Sequence, residues 1–400
     1  MTNKAIYLKP GREKSLLRRH PWIFSGAVSK VVGDPGVGET VDVYSAKNAW
    51  IARAAYSPIS SIRARVWTFS QDTQVNEKFI SDNLRIAINE RSQLHLLNDE
   101  NNIARLLHAE SDGLPGLIVD QYGRYLVVQI LSAGAEFWRD IILDALKEIT
   151  GIENILERSD VEVRKLEGLE QRVGVLAGSI PDETVTIQEN GHNFLVDLFH
   201  GQKTGFFIDQ RHNRKLIQQY VREKEILNCF SYTGAFSVYA LAGGARHVTS
   251  IESSEEANQL AAENISANNL SSDDLTLLNA DVFKELRTMR DKALSFDMII
   301  LDPPKFAPTA AQVRSASRGY KDINLLAFKL LRPGGILATF SCSGGLSADL
   351  FQKIVAGAAL DADVDAKIIA HLSQGPDHPI ALNFPEGAYL KGLVCRVSDK

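Results

Sequence analysis

From about Lys224 the sequence alternates short apolar runs with helical segments, and this rhythm constrains the fold more than any other feature. The runs are EILNCF, HVTSIE, LTLLN, FDMIILD and GILATFS. Between and after them the spacing predicts helices over 235–242, 255–268, 283–290, 320–331 and 348–360, and two strands near DAKIIAHL and GLVCRV close the pattern. Alternating β and α units of this length predict a doubly wound, mostly parallel α/β sheet of Rossmann-like type. Ligands in such sheets bind beyond the carboxyl ends of the strands, so the loops there are where chemistry is sought.

The first run ends Asn228-Cys229-Phe230 and leads into Ser231-Tyr232-Thr233-Gly234. One glycine does not make the G-x-G-x-x-G dinucleotide fingerprint, and no G-x-x-x-x-G-K-[ST] occurs. Glu252 closes the second run, 18 positions after Gly234, where a carboxylate accepts hydrogen bonds from ribose hydroxyls. Asp281 follows the third run, where a carboxylate can meet an adenine amino group. Singly, each acid reads as an ordinary loop residue. In this order they favour a nucleoside cofactor without phosphates, namely S-adenosyl-L-methionine.

The fourth run ends Asp302-Pro303-Pro304-Lys305-Phe306. Two prolines remove two backbone donors and force an extended turn away from the sheet. Such a turn holds Asp302 at the cofactor's edge and offers Pro303, Pro304, Lys305 and Phe306 to a nucleobase. Amine-methylating enzymes usually carry an aromatic residue where Lys305 stands. The fifth run ends in Cys342, beside Asp302. A thiolate there can add to C6 of cytosine and make C5 nucleophilic. A small buried strand residue is the competing reading of Cys342. Cys229 and Cys395, inside strands, read as core, and no ligand cluster suggests a metal.

Residues 1–72 carry 11 Lys+Arg against 5 Asp+Glu, a net of +6 within a chain of net −5. Three of the four tryptophans, Trp22, Trp50 and Trp67, lie there too. This β-rich head, residues 1–74, fits either a nucleic-acid surface or a small barrel with core tryptophans. A helix over 12–19 is expected in it. Residues 75–185 read as a linker helix followed by an α+β segment with a helix over 136–149, and residues 186–400 as the cofactor domain. No apolar run has the ~18 residues of a membrane helix, and MTNKAIYLKPGREK lacks the apolar core of a secretory leader. The 3 cysteines fit a reducing compartment, so a cytoplasmic protein is expected.

Four motifs in order, HGQKTGFFIDQR over 200–211, LNCFSYTGAFS, DPPKF and TFSCSG, resemble the bacterial ribosomal RNA large subunit methyltransferase I family. The opening KPGREKSLLRRHPWIFSGAV is similar to that family's PUA domain. The resemblance implies a PUA domain ahead of an S-adenosylmethionine domain, with C5 of a cytosine in 23S rRNA as the methyl acceptor. It implies Cys342 as nucleophile with Asp302 beside it. It also implies cofactor contacts from Gln210, Arg211, Phe230, the 231–234 loop, Glu252, Ser253, Asp281 and Asp302. The second cysteine that many RNA cytosine-C5 enzymes use for product release is replaced by Lys305. Two other readings stay open: methylation of guanine N2, and a catalytically inactive RNA-binding assembly factor. The expected partner is 23S rRNA or a large-subunit precursor and not a membrane, with a homodimer left open.

Overall fold

The computed structural model describes residues 4–306 and 312–398. The chain divides into two units. The first runs to Ile187 and regains Val196–Ile208 and Pro376–Gly387, and the second comprises Gln188–Leu195, Asp209–Gly375 and the residues from Ala388 on.

The first unit opens with β1 (Ala5–Leu8), β2 (Trp22–Phe24), β3 (Val28–Val32), β4 (Thr40–Tyr44), β5 (Trp50–Tyr56) and β6 (Ile62–Thr68). They form a six-stranded sheet in the order β2-β6-β5-β4-β1-β3. β1 runs parallel to β4, and the other pairs are antiparallel. Alternation in TVDVY turns Val41 and Val43 inward onto Ile6, Leu8, Ala52 and Ala54. The helix expected over 12–19 is a single turn, Lys14–Leu17.

A second sheet holds β7 (Ile103–His108), β8 (Leu117–Tyr122), β9 (Tyr125–Ile130), β10 (Asn154–Ser159) and β11 (Arg172–Ala177), in the order β11-β10-β9-β8-β7. The helix Glu77–Gln93 buries Ile80, Leu84 and Ala87 in the same core as Leu106, Val119 and Leu146. Ala55 and Trp67 of the head belong to that core as well. A Cβ on Gly134 would sit 2.4 Å from the Ala55 Cβ and 2.8 Å from the Trp67 ring. Only glycine permits that approach. The helix expected over 136–149 is two helices, Ala133–Phe137, capped by the Ser132 side chain, and Arg139–Thr150.

A hairpin of β12 (Val185–Glu189) and β13 (His192–Val196) turns at Asn190-Gly191. Both turn residues have positive φ, 49° and 79°, as a type I′ turn requires.

The second unit is built on β14 (Glu225–Cys229), β15 (His247–Glu252), β16 (Leu275–Asn279), β17 (Phe296–Leu301), β18 (Leu331–Ser341), β19 (Ala366–Ser373) and β20 (Lys391–Val397). Their order is β16-β15-β14-β17-β18-β20-β19. β14 to β18 are mutually parallel. β20 enters antiparallel between β18 and β19, so the sheet is mixed. β14 and β17, central and covered on both faces, are buried almost throughout, as their unbroken apolar runs require. Gly392 lets β20 press against Phe340: a Cβ there would lie 2.5 Å from the ring. The helix expected over 320–331 begins earlier, at Val313, and ends at Leu330.

Candidate active site

The loop after β14 is tight. Phe230, Tyr232 and Gly234 have φ of 59°, 47° and 76°, and left-handed backbone at two non-glycine residues is strained. Three contacts hold it. The Ser231 N–H donates to the Ile251 carbonyl, the Gly234 N–H donates to the Ser231 carbonyl, and Asn264 donates its side-chain amide to the Thr233 carbonyl at 2.9 Å. The helix Glu255–Ala267 packs so closely that a Cβ on Gly234 would lie 2.9 Å from the Ala261 Cβ.

Glu252, ending β15, closes the loop from the other side. One oxygen accepts the Tyr232 N–H at 2.9 Å, and the other accepts the Ser253 and Ser254 N–H groups at 2.7 and 3.0 Å. Ser253 also donates its hydroxyl to Glu252. The Oε1 atom, with three bonds, is saturated, and Oε2, with the Tyr232 N–H alone, has room for one more donor, since each oxygen takes about two hydrogen bonds. The hydroxyls of Ser231 and Thr233 are buried and have no partner among the described residues. Orphaned buried hydroxyls are rare and call for a ligand or water. Three donor-hungry or donor-bearing side chains around one strained loop fit a polar, amino-acid- and ribose-bearing cofactor.

Asp281 sits at the end of β16 and caps the helix Val282–Asp291, accepting the Lys284 N–H at 2.9 Å. Its first oxygen is therefore structural, and only the second is available for an adenine amine. Arg211 lies beside a buried carboxylate. It is 3% exposed, and its guanidinium lies 3.5 Å from Glu189, which Arg214 grips through two bonds of 2.8 Å. Tyr239 adds a hydroxyl bond to the same carboxylate. This is a buried ionic scaffold behind the site.

Gln210 reaches the chemistry directly, donating to Asp302 Oδ2 at 2.9 Å. Asn213 supports it, donating to Gln210 Oε1 and to the Ser373 carbonyl. β17 pairs Leu301 with Thr339 of β18, so Asp302 and Cys342 leave the same end of neighbouring strands. Pro303 is buried, while Pro304 and Lys305 are exposed. Phe306 is half-buried. It packs in an aromatic cluster, 6.4 Å from Phe230, 5.7 Å from Phe283 and 4.7 Å from Tyr320 between ring centroids. That cluster anchors the turn from which Asp302 projects.

Cys342 is half-buried, whereas Cys229 and Cys395 are buried. Burial alone pushes the Cys395 thiol up to about 11 and raises Cys229 as well, so both stay protonated. Two residues not identified from sequence line the Cys342 loop. Tyr320 shares a hydroxyl bond with Ser343 at 3.0 Å, and Lys391 donates to the Ser343 and Leu346 carbonyls at 2.7 Å each. Lys391 opens β20, and its burial is a tertiary outcome that lysine seldom shows.

In the head, Trp67 is core, and the indole N–H groups of Trp22 and Trp50 donate to Glu110 and Asp42. Arg12, Lys14, Arg18 and Arg19 are exposed around the single-turn helix and have no acidic partner among the described residues. No helix among the described residues is long and apolar enough to cross a membrane.

Comparisons with known proteins agree with the fold. Residues 170–390 match the S-adenosylmethionine-dependent methyltransferase family, and residues 6–69 match the PUA-like domain. Ribosomal RNA large subunit methyltransferase I of Aeromonas salmonicida is 53% identical over 391 residues, covering 98% of both chains. Its Shigella flexneri counterpart is 49% identical over 392 residues, covering 98% of this chain and 99% of its own. Among solved structures, SMU.776 in complex with SAH aligns with a TM-score of 0.86 at 23% identity, covering 99% of this chain and 100% of its own. A SAM-dependent methyltransferase from Agrobacterium tumefaciens aligns with a TM-score of 0.52 at 19% identity, covering 76% and 92%.

Proposed function

Because the chain belongs to the ribosomal RNA large subunit methyltransferase I family of S-adenosylmethionine-dependent enzymes, we propose that it methylates C5 of a cytosine in 23S rRNA through a covalent bond to Cys342. The observation that carries this reading is the half-buried Cys342 thiol at the same sheet end as Asp302.

When bound, S-adenosylmethionine supplies an electrophilic methyl group. The Ser231–Gly234 loop and Glu252 would hold it, and Asp281 would meet its adenine amine. A cytosine inside a helix is out of reach, so the base is flipped or already unpaired. It lies against Pro303 and Pro304. The Cys342 sulfur bonds to C6, and the displaced electron pair makes C5 the nucleophile that takes the methyl group. A base then removes the C5 proton, and the C6–S bond breaks. Asp302, held by Gln210, bonds the exocyclic amine or a protonated N3 while charge builds on the ring. The exposed cations around Lys14–Leu17 serve as phosphate contacts.

The test is RNA carrying 5-fluorocytosine, whose fluorine cannot leave as the proton does. The wild-type enzyme traps a covalent adduct, as do Cys229→Ala and Cys395→Ala, while Cys342→Ala forms none and still binds cofactor. Full methylation by Cys342→Ala overturns the covalent mechanism and moves the reading to an exocyclic amine. Nucleoside mass spectrometry of rRNA from a deletion strain identifies the missing base.

A further inference from the structure

Lys391 opens β20 and pairs with Ser341, the last residue of β18 before Cys342. It is 9% exposed. Two of its three N–H donors go to the carbonyls of Ser343 and Leu346, which bracket the loop that follows Cys342. No carboxylate pairs with it among the described residues. An ammonium buried without a counter-charge is costly and is normally replaced by a neutral side chain. Two neutral carbonyls could equally be satisfied by an amide. A positive charge at this place therefore calls for an anion.

The charged and titratable groups acting at this spot are few. Lys305 comes from the turn after β17, Tyr320 from the helix Val313–Leu330, and Cys342 from β18's end. Asp302, at β17's end, is engaged by Gln210. Of these, Cys342 follows the Ser341 that pairs with Lys391 and, when ionised, is the group whose charge opposes the lysine's. We propose that Lys391 is the positioning residue of the nucleophile: it clamps the loop from Ser343 to Leu346 and supplies the positive charge that keeps Cys342 a thiolate. This rests on Cys342 being the nucleophile. Burial pushes Lys391 down to about 8, Cys342 opposes that fall and Lys305 adds to it. At neutral pH the lysine still carries its proton, which is the state the pairing needs.

The experiment reads Cys342 directly. The rate of iodoacetamide modification at Cys342 is followed against pH by peptide mass spectrometry in the wild type, Lys391→Met and Lys391→Arg. The wild-type midpoint is expected below the ~8.5 of an ordinary thiol. In Lys391→Met it rises by about one pH unit, so the rate at pH 7 falls about tenfold, and Lys391→Arg restores most of it. A merely structural clamp would leave the midpoint in place, so an unmoved midpoint in folded Lys391→Met overturns the proposal. Should Lys391→Met fail to fold, Cys342→Ala serves in its place. By linkage, losing the thiolate must lower the Lys391 titration, read from its Cε–Hε resonances by NMR, and an unchanged titration overturns the proposal. A Lys391-dependent midpoint in an enzyme that forms no fluorocytosine adduct upholds the pair and overturns the nucleophile reading alone.

Discussion

Gln210 and Asp302 are joined by one hydrogen bond of 2.9 Å, which ties a residue ahead of β14 to the turn after β17. Gln210 is itself fixed by Asn213, so the Asp302 carboxylate is aimed by a chain of two amides rather than by its own short side chain. Gln210→Leu is expected to lower kcat far more than it weakens cofactor binding. A hydrogen bond to a charged group contributes about 1.5–3 kcal/mol, so a drop of roughly tenfold to a hundredfold is expected in single-turnover methylation. Unchanged turnover would detach Asp302 from the chemistry.

Glu252→Ala is expected to weaken S-adenosylmethionine binding and to leave RNA affinity nearly unchanged. The carboxylate orders the Tyr232, Ser253 and Ser254 N–H groups, and in the proposed function it also holds the ligand. Losing it should cost about 1.5–3 kcal/mol in a calorimetric titration. Unaltered cofactor affinity would remove Glu252 from the site.

Glu189→Gln tests the scaffold behind the site. Arg214, fully buried, loses its bidentate partner and Arg211 its neighbour. Breaking a buried ion pair by removing one partner costs about 3–5 kcal/mol, so a clear fall in Tm is expected by calorimetry. A Tm within a degree of wild type would show that the two arginines find other partners.

Glu136 gives the acid limb of stability a defined origin. Burial pushes its pKa up, but the Arg139 and Arg164 bonds outweigh this and hold it below the usual glutamate range. A depressed carboxylate contributes stability that is present above its unfolded pKa and lost as pH falls through the folded one. Glu136→Gln should therefore lower Tm at pH 7 and narrow the gap to wild type as the pH drops below 4. A gap that stays constant with pH would exclude Glu136.

Arg12→Ala, Lys14→Ala and Arg18→Ala together test the head. Each lost phosphate contact lowers the slope of log K against log salt by about 0.7 on single-stranded RNA and 0.9 on duplex, so the triple variant should bind more weakly and with a slope smaller by about 2. The whole head cannot be deleted for this purpose, because Ala55 and Trp67 complete the core of the following segment. An unchanged slope would place the RNA anchor elsewhere, with Arg314 and Arg318 the next to exchange.

The parallel strands β14 to β18 could be read from sequence because buried strands are continuous apolar runs and their helices keep an apolar spacing. Asp302, Cys342, Glu252 and the 231–234 loop followed, since a strand's end is easy to find once the strand is. β1, β2 and β3 are 3–5 residues long, with Pro10, Gly11, Pro21 and Gly26 in the segments between them, too short for a period to show. β11, RVGVLA, is an exposed edge with no clean alternation. The first turns of the Val313–Leu330 helix, RSASRG, are mostly polar and hid its start. Lys391 was missed because its meaning is entirely tertiary: it matters only when β20 is placed against β18, and nothing local reports that two strands 50 residues apart are antiparallel neighbours.

The placement of β20 also sets an order of events during synthesis. Until Lys391–Val397 has been made, the far edge of β18 presents unpaired N–H and C=O groups, the kind of edge that recruits wrong partners. At about 5–20 residues per second, the interval between completing β18 and completing β20 lasts roughly 3–11 s. Through that interval the nascent chain has every cofactor residue named above, but no ammonium beside the thiol. The edge of β18 is thus covered last, by the same residues that bring Lys391 onto the loop after Cys342.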